Sequence, residues 1–181
     1  MSPESDLVMD NLRTPEAQKK GFEHVSLPFS ESVGYQVRLT NQLIQKLLQQ
    51  AIEPYGVSLG MWYFLRALWR KDGLTQRELS IIVGTTDPTA LSAIKAMERA
   101  GLIARKRNSE DNRKINIYLT KKGRNLEEEL LPLAKQVIRS AIKGFSEREF
   151  RTFLQLLCAI QDNIRPMLAN DRPELHEVER P

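Results

Sequence analysis

The chain has 181 residues, is 41% hydrophobic and carries a net charge of +4 with a mean hydropathy of −0.41, so it can bury a core yet holds no apolar run long enough to span a bilayer. Its one cysteine, Cys158, excludes an intrachain disulfide, and with only His24 and His176 a zinc cluster is not expected; no metal and no cofactor is predicted. The opening MSPESDLVMDNL lacks a basic start followed by an apolar stretch, so a secretory signal is not expected and a cytoplasmic protein is.

In chain order, residues 1–30 lack periodicity, contain Pro3, Pro15 and Pro28, and read as an N-terminal arm. A helix is predicted from about Glu31 to Glu53, with Leu39, Leu43, Leu47 and Ala51 at helical spacing, ended by Pro54 and Gly56. Ser58 can cap the next helix, MWYFLRALWRK, which is apolar nearly all round and should be central; Asp72-Gly73 closes it. Thr75-Gln76-Arg77-Glu78 has the spacing of a capping box, opening a short helix that stops at Gly84. Asp87 is read as the cap of another helix, with Pro88 in its first turn and Gly101 beyond its end. Two short capped helices joined by a tight Gly-containing turn predict a helix-turn-helix.

LIARKR and KINIYLT then read as strands of a hairpin, since Ile115, Ile117 and Leu119 alternate with Asn116 and Tyr118. Thr120 caps a long helix to about Lys143, in which Pro132 predicts a kink, and Ser146-Glu147-Arg148-Glu149 opens the last helix with a second capping box. The expected organisation is an arm over 1–30, a helical dimerisation region over 31–56 and 121–170, a winged helix-turn-helix over 57–120, and a disordered tail over 171–181. The fold class is mainly α with a small β-hairpin wing.

Charge is unevenly placed. Arg66 to Arg124 holds 14 basic and 6 acidic side chains, while the rest of the chain is net −4. A basic middle suits a phosphate-binding surface, though a solvated charged face would show the same excess. The helix from Pro88 to Ala100 adds a second signal. Leu91, Ile94 and Met97 form an apolar stripe; Thr89, Ser92, Lys95 and Arg99 lie opposite, where they can meet base edges in a major groove. The hairpin concentrates Arg105, Lys106, Arg107, Arg113 and Lys114, long cations on a narrow projection suited to a minor groove. Thr75, Gln76 and Thr86, at the starts of the two short helices, complete the candidate DNA surface, and double-stranded DNA is the expected partner.

The run MERAGLIARK, then Asp111-Asn112-Arg113, then a strand ending Leu119-Thr120, resembles the MarR family of winged-helix regulators over roughly Ser30 to Asn170. The resemblance implies a homodimer built from the first, fifth and sixth helices, a palindromic operator, and often a small aromatic or phenolic effector such as an aromatic acid or its CoA thioester. Many members of that family carry an arginine where this chain has Ser92, so base preference does not transfer.

No phosphate-cradling Gly loop, metal-ligand spacing or nucleophile elbow is present in the sequence, and Glu127-Glu128-Glu129 reads as an exposed helix face; an enzyme is not expected. Trp62 and Arg66 lie four apart, and with Tyr35 and Arg38 they are the candidate effector site: a ring on Trp62, a carboxylate on Arg66. The competing reading makes Trp62 core. Cys158, among Leu154, Leu157 and Ile160, is read as buried packing rather than a redox sensor. The alternative overall function is a helical protein-interaction module that binds no effector.

Overall fold

A computed structural model describes residues 28–168 apart from 109, 110, 112 and 113. Most of the expected arm, the expected tail, and Arg113 lie outside the described residues.

The first helix, α1 (Val33–Ile52), begins where the Ser32 hydroxyl accepts a hydrogen bond from the Tyr35 amide. Of the helical stripe Leu39, Leu43, Leu47 and Ala51, Leu43 and Leu47 are exposed while Leu39 and Ala51 are half-buried, and the stripe leans inward through the neighbouring Ile44 and Leu48. The line inside is Ile44, Leu48 and Ile52, half-buried to fully buried, and the helix packs along α5 (Lys121–Ala141). A short 3-10 turn at Glu53–Tyr55 follows.

Helix α2 (Leu59–Arg70), capped by Ser58, is the axle of the fold. It buries Trp62, Phe64, Leu65, Ala67 and Leu68, and packs against α1, α3 (Gln76–Val83), α4 (Asp87–Arg99) and α5. Burial of such side chains supplies about 1.5–3 kcal/mol each. The capping box at the start of α3 forms as predicted: Glu78 N–H donates to the Thr75 hydroxyl, and the Thr75 N–H donates to the Glu78 carboxylate. At its end Gly84 takes φ +70, the left-handed conformation that a helix stop of this kind requires.

Strands β2 (Ile103–Arg107) and β3 (Ile115–Leu119) form the expected antiparallel hairpin, with Ile103 opposite Leu119 and Arg107 opposite Ile115. A third strand, β1 (Leu74–Thr75), pairs with the other edge of β3, giving the order β1-β3-β2. Two residues are too few to show a strand period, which is why sequence reading passed over it.

Helix α5 runs unbroken as a helix through Pro132, and α6 (Glu147–Ile164) starts with the predicted box at Ser146 and Glu149. No residue of α6 is buried within the protomer. Cys158 is therefore exposed, not packed; among the described residues the apolar stripe around it is covered only in part, with Phe153 edge-on to Phe145 and Leu157 half-buried. Among the described residues no helix is long and apolar enough to cross a membrane, and no group of three or more His, Cys, Asp or Glu could hold a metal ion.

Candidate nucleic-acid interface

The surface is built on α4 and the hairpin. Ala90, Ile94 and Met97 sink into the core, which turns Thr89, Ser92, Lys95 and Arg99 outward. The helix starts one residue earlier than its sequence suggests. Thr86 takes the cap position with extended backbone and makes no capping bond, and Asp87 is the first helical residue. The Asp87 carboxylate is drawn instead toward α3, accepting a 2.6 Å hydrogen bond from the hydroxyl of buried Ser80. Gln76 Nε2 donates to the Asp87 carbonyl at 3.4 Å. These bonds lock the two helices of the helix-turn-helix, and Ser80 is the member that sequence reasoning missed; a lone serine in an apolar helix gave no signal of its partner.

Three hydroxyls crowd the leading turns of α4. Thr86 and Thr89 share a hydrogen bond at 2.9 Å, and Ser92 donates back to the Pro88 carbonyl at 3.1 Å. Thr75 is half-buried as the cap of α3, and Gln76 stands beside it. Burial pushes the Glu78 carboxyl up, but the two hydrogen bonds from Thr75, with the nearby charges of Lys71 and Lys114, outweigh this and hold it below the ordinary carboxylate range.

The wing divides its cations between two duties. Arg107 and Lys114 are exposed towards its tip; Lys114 lies 3.7 Å from the Asp111 carboxylate. Lys106 sits over the Tyr118 ring at 5.4 Å. Arg105 points back to α4, its Nε 3.2 Å from the Glu98 carboxylate. Its Nε and one terminal nitrogen are buried without an aligned hydrogen bond, so this is an ion pair at the wing's base rather than a cation at its tip. Below the tip, Asn116 donates to the Gly73 carbonyl at 2.6 Å and accepts from Asn108 at 3.1 Å, stiffening the hairpin.

Of the candidate effector residues, Trp62 and Arg66 lie together on α2, and Tyr35 and Arg38 together on α1. Trp62 is only 2% exposed and meets Trp69 edge-on at 5.7 Å, with the Arg66 guanidinium 5.8 Å above its ring. Trp62 is a core residue: its helix is enclosed on most sides, so its ring has no free face for a ligand. Arg38 lies over Tyr35 at 5.3 Å, and Tyr35 packs on Phe29 at 4.7 Å. The bonds from Leu59 N–H to Gln49 and from Gln45 to the Tyr63 hydroxyl set an antiparallel register between α1 and α2.

Residues 46–130 match the family model described as transcriptional regulator SarA/Rot. The chain is 28% identical over 120 residues to the HTH-type transcriptional repressor YetL of Bacillus subtilis, an alignment covering 63% of this chain and 72% of that protein. Among solved structures it is similar to a MarR transcriptional regulator from Methanosarcina mazei, with 28% identity, a TM-score of 0.67, and coverage of 72% of this chain and 94% of that one. It is also similar to BpsR of Bordetella bronchiseptica, whose DNA binding is regulated by 6-hydroxynicotinic acid, with 26% identity, a TM-score of 0.70 and coverage of 76% and 99%. A helix-turn-helix locked through Ser80 and Asp87, a basic wing and these likenesses converge: the chain has a MarR-like winged helix-turn-helix fold and is similar to DNA-binding transcriptional regulators.

Proposed function

We propose that two copies of the chain associate through α1, α5 and α6 and bind a palindromic operator, each α4 entering a major groove and each β2–β3 wing the adjacent minor groove. The observation that carries this reading is α6. Among the described residues it has no buried residue, yet it exposes Phe153, Leu154, Leu156, Ile160 and Ile164, as α1 exposes Leu43 and Leu47. An apolar surface of that extent is stable in water only when covered, and a second copy supplies the matching face by two-fold symmetry. Two recognition helices then meet successive major grooves, with half-site centres roughly 10 base pairs apart. Thr75, Gln76, Thr86, Thr89, Ser92, Lys95, Arg99, Arg105, Arg107, Arg113 and Lys114 supply or support the contacts.

The reading includes a small aromatic acid as effector. Its support is the likeness to BpsR and the two guanidiniums, Arg38 and Arg66, each resting on an aromatic face from which it can turn to fork a carboxylate. Selection of bound DNA from a random pool, by protein whose mass is followed by light scattering, tests the proposal. An imperfect palindrome bound by a dimer is expected, with release by aromatic acids. A monomer that binds a single asymmetric site overturns the dimeric arrangement, and a motif insensitive to every aromatic acid tried removes the effector from it.

A further inference from the structure

We infer that α4 reads its half-site by two different chemistries: thymine methyl groups through Thr86 and Thr89, and a guanine through Lys95. The inference rests on α4 being the major-groove element, as proposed above, and adds what that helix selects.

Thr86, Thr89 and Ser92 are the exposed hydroxyls of the leading turns, with three hydrogens between them. Ser92 gives its hydrogen to the Pro88 carbonyl, and one threonine gives its hydrogen to the other. One donor remains, beside several lone pairs and two threonine methyl groups. Asp87, the one acidic side chain of these turns, is held toward α3 by Ser80.

Base edges sort this surface. Guanine offers only acceptors in the major groove, so a face with a single donor left matches it less well than a pair that also offers a donor and a methyl. An adenine–thymine pair offers the adenine amino group as a donor to the hydroxyl lone pairs, and the thymine methyl to the threonine methyls. A cytosine offers the donor without the methyl. The leading turns therefore match A·T pairs. One turn further, Lys95 is exposed and is the first cation along the helix; Arg99 follows only in the last turn. An ammonium on this face satisfies the guanine acceptors O6 and N7. The half-site should thus hold A·T pairs with a guanine about one helical turn of protein away.

The full-length protein decides this. After selection of its preferred operator, each thymine is replaced singly by uracil, which removes only the methyl. At one or two positions per half-site the affinity should fall about fourfold, the worth of one buried methyl. Thr89→Ser keeps the hydroxyl and loses the methyl; at one of those positions it should bind thymine and uracil alike. Thr89→Val keeps a methyl and should retain the discrimination. Lys95→Met should lose roughly five- to hundredfold of its preference for guanine at one position. Uracil substitution that is silent everywhere, or a selected motif unchanged in Lys95→Met, overturns this inference while leaving the DNA-binding reading intact. A wild-type protein that selects no motif overturns both. Circular dichroism establishes that each variant is folded.

Discussion

The Asp72 carboxylate lies 2.8 Å from the Arg124 guanidinium and also accepts the Leu119 N–H at 2.9 Å, so one side chain pins the end of β3 to the first turn of α5. That junction is where the DNA-binding lobe meets the long helix leading to the proposed dimer base. Its two members are unequal. Asp72 satisfies backbone amides at Leu119 and Gly73, whereas the Arg124 side chain is 57% exposed. Asp72→Ala should therefore cost about 1–3 kcal/mol, the penalty for stranding amides. Arg124→Ala should cost at most about 1 kcal/mol, as exposed ion pairs do. Urea denaturation measures both, and equal losses would show that the ion pair, not the amide bonds, holds the junction.

Gly123 sits at the same joint. A Cβ there would lie 2.1 Å from the Leu102 carbonyl oxygen, and Trp69 Nε1 already donates to the Gly123 carbonyl at 2.9 Å. Neither neighbour is a flexible side chain that can swing aside. Gly123→Ala should destabilise the fold by about 2 kcal/mol or more. A melting temperature within a degree of wild type would show that the helix start can shift without loss.

The wing cations make a paired test. Arg107→Ala, and Arg113→Ala on the sequence reading, should weaken operator binding and lower the slope of log K against log salt by about 0.9 for each lost phosphate contact. Arg105 is held by Glu98, so Arg105→Ala should weaken binding by loosening the wing while the slope stays unchanged. If Arg105→Ala lowers the slope as much as Arg107→Ala does, Arg105 leaves Glu98 for the DNA.

For the dimer, Leu157→Glu is the sharper choice. Since no residue of α6 is fully buried among the described residues and Leu157 is half-buried, a charge there has little core to disturb. The variant should keep its helical signal, run as a monomer by light scattering and lose operator binding. A Leu157→Glu protein that remains a dimer at micromolar concentration would exclude this face of α6 from the interface.

The capping box gives a pH dependence. Glu78 has its carboxyl held below the ordinary value of 4.5, so its contribution is complete above that value and is lost as pH falls through the folded-state pKa. Glu78→Gln keeps the hydrogen bonding without the charge and should lose less stability between neutrality and acid pH than wild type. Parallel curves for the two proteins would place the acid sensitivity elsewhere.

Much of this was legible in the chain. The boxes at Thr75–Glu78 and Ser146–Glu149, the cap at Thr120, the stop at Gly84, and the hairpin around Ile115, Ile117 and Leu119 are all local: a side chain meets a backbone group within four residues, or two short strands meet across one turn. The outward face of α4 was legible too, because a helix period fixes which residues oppose Ile94 and Met97. Periodicity does not say which apolar side is covered. In α1 the leucines Leu43 and Leu47 of the readable stripe are open, and around Cys158 a stripe that looks like core is mostly exposed among the described residues.

What only the tertiary structure decided are the contacts between residues far apart in sequence. Trp62 is enclosed because α2 happens to run through the middle of the lobe. Arg105 turns to Glu98 because the base of the hairpin packs against α4. Asp72 reaches Leu119 and Arg124 because β1, two residues long, brings that turn beside β3. Each depends on the placement of whole elements, which hydrophobic burial sets collectively. The hydroxyls of α4 show the division most sharply. Their presence on one face follows from spacing, but which hydrogens are already spent, and so what the helix can still recognise, is a property of the folded geometry.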